Sequence, residues 1–180
     1  MTQSEKSLGS RLAFWLFRLP VVQRFWSRGF QTEAGADEMA NVPWVGLKKP
    51  LAECRVALVT TGGVHLVSEK PFDMGDPQGD ASYRVIPSDT PAQDLMITHD
   101  YYDHKDADAD IDVVLPLRVL RSLSGEDGGE GVIGKVAPRH YSLMGHMEGP
   151  HLEKLRKETA PEVARRLSED GVDVVLFTPA

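Results

Sequence analysis

The 180-residue chain has a single cysteine, Cys54. One thiol cannot close an internal disulfide, so no disulfide framework supports the fold and a reducing, cytoplasmic setting is expected. Cys54 stands just before an apolar run, the place of a bland core residue more than of a reactive thiol. Positive charge is also short: 20 Lys and Arg face 27 Asp and Glu, a formal net charge of −7. That balance excludes a general nucleic-acid or anionic-membrane surface. Long hydrophobic runs are missing too. Arg11-Leu-Ala-Phe-Trp-Leu-Phe-Arg-Leu-Pro20 is interrupted by Arg18 and Pro20. It falls short of the roughly 20 apolar residues of a spanning helix and lacks the cleavage pattern of a secretory signal. No membrane span is expected. With Val21-Val-Gln-Arg-Phe-Trp26 it reads as two short aromatic helical pieces, packing on the domain or on a second subunit in a homo-oligomer. Adhesion to a membrane surface through its arginines and tryptophans is the other reading.

Several site signatures are absent as well. Thr60-Thr61-Gly62-Gly63 lacks the Gly-Lys-Ser/Thr ending of a phosphate loop, and Gly62-Gly63-Val64-His65 is no dinucleotide fingerprint. The acidic run Asp106–Asp112 fails as a calcium loop, because Ile111 and Leu117 occupy the positions that need glycine and glutamate. It reads as a solvated loop. His99, Asp103 and His104 offer imidazole and carboxylate donors without a paired helical spacing, so no metal is expected.

What the chain has is enough apolar content, 41%, for one core. Residues 1–50 read as the aromatic helical segment and a linker punctuated by Gly29, Gly35, Pro43 and Pro50; residues 51–180 read as an α/β domain. Its organising stretch is Arg55-Val-Ala-Leu-Val-Thr-Thr-Gly-Gly-Val-His65. Val56–Val59 suits a buried strand of a parallel sheet, and two glycines free the backbone where that strand ends. Open α/β sheets place ligands at such strand ends. A long irregular stretch follows, with a short strand expected at Tyr83-Arg-Val-Ile86, then the apolar run Leu95–Thr98 leading into His99. A short helix is expected at Leu117–Leu123, and a strand or turn at Val132–Ala137. A longer helix over about Pro150–Asp170 needs a break or fresh start at Pro161, with Gly171 as C-cap. Val172–Phe177 is a second buried strand. The expected fold is α/β, a mainly parallel sheet with flanking helices. A helix feeding a strand is half of a βαβ unit, so the sheet is expected to be incomplete at the C-terminus. His65, His99 and His140 each follow an apolar run and either share a pocket, moving a proton or orienting a small anion, or serve to order the loops. Arg84 either holds a substrate carboxylate in a bidentate pair or orders the long loop.

Several motifs stand in order: the 55–65 stretch, Gly79-Asp80 with Ser82-Tyr-Arg-Val-Ile-Pro87, His99-Asp-Tyr-Tyr-Asp103, Asp110 through Leu117-Arg118, Ile133-Gly134, and Gly171-Val-Asp-Val-Val-Leu-Phe-Thr-Pro179. Together they resemble the selenoprotein B family of glycine, sarcosine, betaine and D-proline reductases, from about residue 44 onward. The resemblance implies an oxidoreductase acting on X–H and Y–H with a disulfide as acceptor. It would cleave a C–N bond of a small amino acid or amine, with a dithiol donor and partner subunits. It also implies a selenocysteine or cysteine nucleophile, which the family pattern puts just after the position of Ala180; none of the 180 residues takes that role, and this chain alone is expected to be inactive. No other cofactor is expected. Thr61, Gly62, Gly63, His65, Arg84, His99 and Asp103 are the substrate-pocket candidates. The alternatives are a non-catalytic module binding a small ligand or subunit through the same pocket, and a metal-dependent hydrolase using the histidines.

Overall fold

A six-residue strand, β1 (Arg55–Thr60), carries the architecture, and all but its first residue are buried. Alternation along it feeds two cores. Val56 and Leu58 face one side with Ile86, Leu115, Leu117 and Leu120, while Ala57 and Val59 face the other with Tyr141, Leu143, Val163 and Leu167. A strand covered on both faces has no need of polar alternation, which is why its sequence is a continuous apolar run. These observations come from a computed structural model, which describes residues 45–125 and 128–180; the aromatic segment expected at Arg11–Trp26 lies outside the described residues. Leu47–Ala180 form one unit.

Around β1 the chain adds β2 (Val64–Leu66), β3 (Tyr83–Pro87), β4 (Leu95–Ile97), β5 (Lys135–Val136), β6 (Arg139–Leu143) and β7 (Val174–Thr178). β7 pairs in parallel with β1 from Val56↔Val174 to Thr60↔Thr178. The opposite edge of β1 is shared by β5 and β6, both parallel to it. β3 then adds antiparallel to β6. The α/β expectation holds and parallel pairing dominates, but the sheet is mixed, and β2 and β4 form a separate antiparallel pair.

β6 was not marked by the apolar pattern, and the reason is local. Between β5 and β6 stands Pro138, which has no N–H for a ladder. The ladder to β1 breaks there, and the N–H of Leu58 donates instead to Nδ1 of His140, at 2.9 Å. A fully buried histidine ring substitutes for a missing backbone carbonyl.

Helices cover the two faces. α1 (Lys105–Ala109) and α2 (Leu117–Leu123) lie on the Leu58 side through Ala107, Leu117 and Leu120. The acidic run expected as a loop is therefore partly helical: Ala107 and Ala109 favour a helix, and Asp106 and Asp108 sit in its first turn, where the helix dipole favours negative charge. On the other face run α3 (Gly149–Lys154), a π turn (Leu155–Thr159) and α4 (Ala160–Glu169) without interruption. Pro161 removes one N–H and crowds the carbonyl four residues back. The widened π turn just before it takes up that misfit, so the helix continues where a break was expected. Thr159 in this turn donates its hydroxyl to the Ala81 carbonyl at 2.7 Å. Gly171, at φ +67°, ends the helix as expected, with the 6→1 bond from Val172 N–H to the Leu167 carbonyl. Asp170 there pairs bidentately with Arg139 at 2.8 and 2.6 Å, tying β6 to the helix end.

Candidate functional site

The carboxyl end of β1 does not simply turn; it is held open by its own threonines. Thr60 Oγ1 donates to the Thr178 carbonyl at 3.0 Å and accepts the Gly62 N–H at 3.0 Å. Gly63 then takes φ +68°, donates to the Leu143 carbonyl, and accepts the Thr98 N–H. These bonds bring the ends of β1, β6 and β7 against the segment after β4. Gly145, just past β6, donates its N–H to Nε2 of His99 at 3.1 Å. A side chain at Gly145 would meet the Thr61 carbonyl, His99 Nε2 and the Ala180 carbonyl, all between 3.2 and 3.4 Å away. The Ala180 N–H in turn donates to Thr61 Oγ1 at 3.1 Å. Thr61, Gly62, Gly63 and His99 are thus brought together, and the backbone at Pro179–Ala180 lies among them.

Aromatic rings wall this cluster. His99 packs edge-on against Tyr102 at 4.8 Å and Tyr101 at 5.9 Å, and Tyr101 stacks on His146 at 3.9 Å. Tyr102 donates its hydroxyl to the Gly62 carbonyl at 3.0 Å, and burial pushes its phenol up to about 12. Burial, helped by the neighbouring His146 and His104, holds His99 below the usual imidazole range, so it is neutral at pH 7. Both of its ring nitrogens face amide donors, Gly145 on one side and Tyr101 at 3.2 Å on the other. A neutral imidazole has one lone pair for such a bond, so only one of the two amides can be accepted at a time. One amide beside this glycine-lined strand end is therefore left without that acceptor.

The other candidates point elsewhere. His65 donates from Nδ1 to the Leu66 carbonyl and accepts the Thr98 hydroxyl at Nε2, both at 2.8 Å, which fixes the β2–β4 pair. His140 is committed to Leu58 inside the sheet. Asp103 is exposed and accepts the Lys105 N–H at the start of α1. Arg84 lines a cleft of about 530 Å³ with Asp73, Asp76, Asp80 and His151, and this cleft does not include Thr61 or His99. Its guanidinium lies 4.2 Å above the Phe72 ring. It donates to the Lys70 and Pro71 carbonyls, to the Ser82 hydroxyl and to the Tyr83 carbonyl. This clamp orders the 70–82 stretch. Arg84→Lys keeps the charge and loses the fork, so it is expected to destabilise by about 1–2 kcal/mol. Hydrogen exchange should quicken across residues 70–82 and not in β1; unchanged exchange would mean the loop is ordered by other bonds.

Gly145 and Tyr102 were not among the sequence candidates. Gly145 carried a usable signal, a glycine two residues past the end of a strand, hidden because β6 itself was not legible. Among the described residues no group of three or more His, Cys, Asp or Glu is placed to hold a metal, and no helix is long and apolar enough to cross a membrane.

Comparison with known proteins converges on one group. The model of the glycine/sarcosine/betaine reductase selenoprotein B family matches residues 18–180. The D-proline reductase subunit gamma of Acetoanaerobium sticklandii is 38% identical over 151 residues, covering 84% of this chain and 59% of that subunit. The glycine reductase complex component B subunit gamma of Symbiobacterium thermophilum is 31% identical, over 88% of this chain and 36% of its own length. The betaine reductase complex component B subunit beta of Peptoclostridium acidaminophilum is 32% identical, over 83% of this chain and 33% of its own length. The chain therefore spans between a third and three fifths of these relatives. No solved structure matches it. With its strand-end glycines and histidine in the matched length, the chain belongs to the glycine/sarcosine/betaine reductase selenoprotein B family.

Proposed function

We propose that this chain forms the substrate side of a reductase that cleaves the C–N bond of a small amino acid or amine. Electrons come from a dithiol that ends as a disulfide, and the nucleophile is a selenocysteine or cysteine outside the 180 residues, at the position following Ala180. Partner subunits complete the assembly, as the relatives' names describe for their own complexes. A reducing, cytoplasmic location goes with thiol electrons.

The observation that carries this reading is the position of Pro179–Ala180. The Ala180 N–H is held by Thr61, and its carbonyl lies 3.4 Å from where a side chain at Gly145 would begin. A residue attached there would enter the cluster of Thr61, Gly62, Gly63 and His99. Each part then has work to do. Thr61 fixes the direction of the incoming backbone, and Gly145 leaves room for it. Neutral His99, whose single lone pair holds one of the two amides, fixes the strand ends around the incoming residue, and the ionised selenol or thiol is the nucleophile. The rings of Tyr101, Tyr102 and His146 limit access of water. His65, Arg84 and Asp103 support the loops around the pocket.

The test begins with the product from its native cell, grown with selenium. Its intact mass should exceed 19.9 kDa and include selenium or a second cysteine. That product, given a dithiol with glycine, sarcosine, betaine and D-proline in turn, should release an amine or open the ring of one of them. His99→Asn is expected to lower turnover at least about tenfold with little change in melting temperature. A native mass matching 180 residues, with no turnover, would put a non-catalytic binding module in place of the reductase.

A further inference from the structure

Among the described residues the edge of β7 away from β1 has no strand partner, and it is unlike an ordinary sheet edge. Edge strands are normally guarded by charge, proline, a bulge or brevity. β7 is Val174-Val-Leu-Phe-Thr178, with no charged residue, no proline and five registered pairs to β1. Among the described residues β1 is its one strand partner. Both cores run off the sheet here. Leu176 stands opposite Leu58 and Phe177 opposite Val59, so the two side chains continue opposite faces. Val174 and Val175 still pack against those cores, but Leu176 is 47% exposed and Phe177 67%. Beside them Val113 is also exposed, next to the residue whose carbonyl accepts the Thr178 hydroxyl. Parallel strands are stable where both faces are covered, an interior position.

We propose that the free edge of β7 takes a further parallel β-strand, with apolar side chains on both faces and its own covering elements. It comes from the portion of the reductase that the relatives carry outside the matched length. About two fifths of the D-proline reductase subunit gamma lies outside that length, enough for a strand and the helices that cover it. A second copy pairing edge to edge is the competing occupant. It would bring together two chains of net charge −7 and would leave the outer faces of Leu176 and Phe177 without a covering layer. The proposal rests on family membership and on the edge itself, and holds whether or not the chemistry above is right.

Hydrogen exchange on the affinity-tagged protein isolated from its own cell, compared with the 180-residue chain alone, decides the matter. The amides of Val174–Thr178 that point away from β1 are expected to exchange at least about tenfold more slowly in the native assembly. Cross-links from a Lys introduced at Val113 should reach residues of the portion that lies outside the 180 residues. Phe177→Asp and Leu176→Lys alter exposed side chains, so both should leave the melting temperature of the chain alone unchanged and abolish the added protection. Three results would overturn the proposal. These are outward-pointing β7 amides already protected in the isolated chain, protection that appears with homodimer formation, and no protection of those amides in the native assembly. Turnover plays no part in this readout, so its failure and that of the reductase reading are separable.

Discussion

Gly63→Ala is expected to destabilise the domain by about 2–4 kcal/mol, a large loss for one methyl group. Two effects add. The backbone at Gly63 has φ +68°, where residues with a Cβ are strained. The new Cβ would also stand 2.7 Å from the Thr98 carbonyl oxygen and 2.9 Å from His99 Cβ. Neither neighbour yields easily, because the Gly63 carbonyl accepts the Thr98 N–H at 3.0 Å and His99 is buried. Gly63→Asn separates the two causes. Asparagine tolerates the left-handed region better than alanine but brings the same Cβ, so it is expected to fare no better. Gly62→Ala is the comparison: its Cβ would meet the Val114 side chain at 3.1 Å, a milder contact, at a backbone without positive φ. Urea unfolding of the three variants checks the order. Equal losses for Gly62→Ala and Gly63→Ala would mean the turn relaxes around either side chain. The same displacement moves His99 away from Gly145, which connects this glycine to the proposed site.

What could be read in advance follows from where side chains do their work. β1 was legible because a strand inside a sheet is written as an apolar run, and β3, α2 and the Gly171 cap followed ordinary pattern and capping rules. Val172–Phe177, expected as a second buried strand, is instead β7 at Val174–Thr178, an edge strand among the described residues with none of its own residues fully buried. An apolar run alone does not say whether a neighbour covers it. β6 was hidden. Arg139, His140 and Ser142 look like a polar loop, yet Arg139 pairs with Asp170 and His140 completes the ladder beside Pro138. The π turn was hidden for a related reason: a proline within a helical pattern announces a misfit without saying how the backbone absorbs it. At the site, Thr61, Gly62, Gly63 and His99 converge as the strand-end argument requires. His65, Arg84 and Asp103 are the same residue types with their polar atoms spent on nearby backbone or hydroxyl groups. Residue type and position along the chain cannot distinguish a histidine that fastens two strands from one that joins the ends of the sheet. That difference lies in which partner each ring nitrogen meets, and one partner of each ring comes from 30 or more residues away.

The buried His140 makes the fold sensitive to acid in a way that can be assigned to one residue. Burial, with Arg121 as a further positive neighbour, lowers its pKa from 6.5 to about 4. The folded state therefore resists protonation that the unfolded chain accepts below pH 6.5. For a group depressed in this way, stability is fully present above the unfolded value and is lost as pH falls toward the folded one. Protonation would also place a hydrogen on Nδ1, where the Leu58 N–H now donates at 2.9 Å. Between pH 7 and pH 5 this single residue is expected to remove about 2 kcal/mol of stability. His140→Asn tests the assignment, because its amide oxygen reaches the position of Nδ1, accepts the same N–H and does not titrate. The variant is expected to keep most of the stability at pH 7 and to lose about 2 kcal/mol less than the parent on going to pH 5. His140→Leu removes the acceptor, leaves a buried N–H without a partner, and is expected to be weaker at both pH values by about 1–3 kcal/mol. Denaturant unfolding at the two pH values reads all three proteins. An acid limb as steep in His140→Asn as in the parent would move the titration to other groups, such as His99, and leave His140 with the ladder role alone.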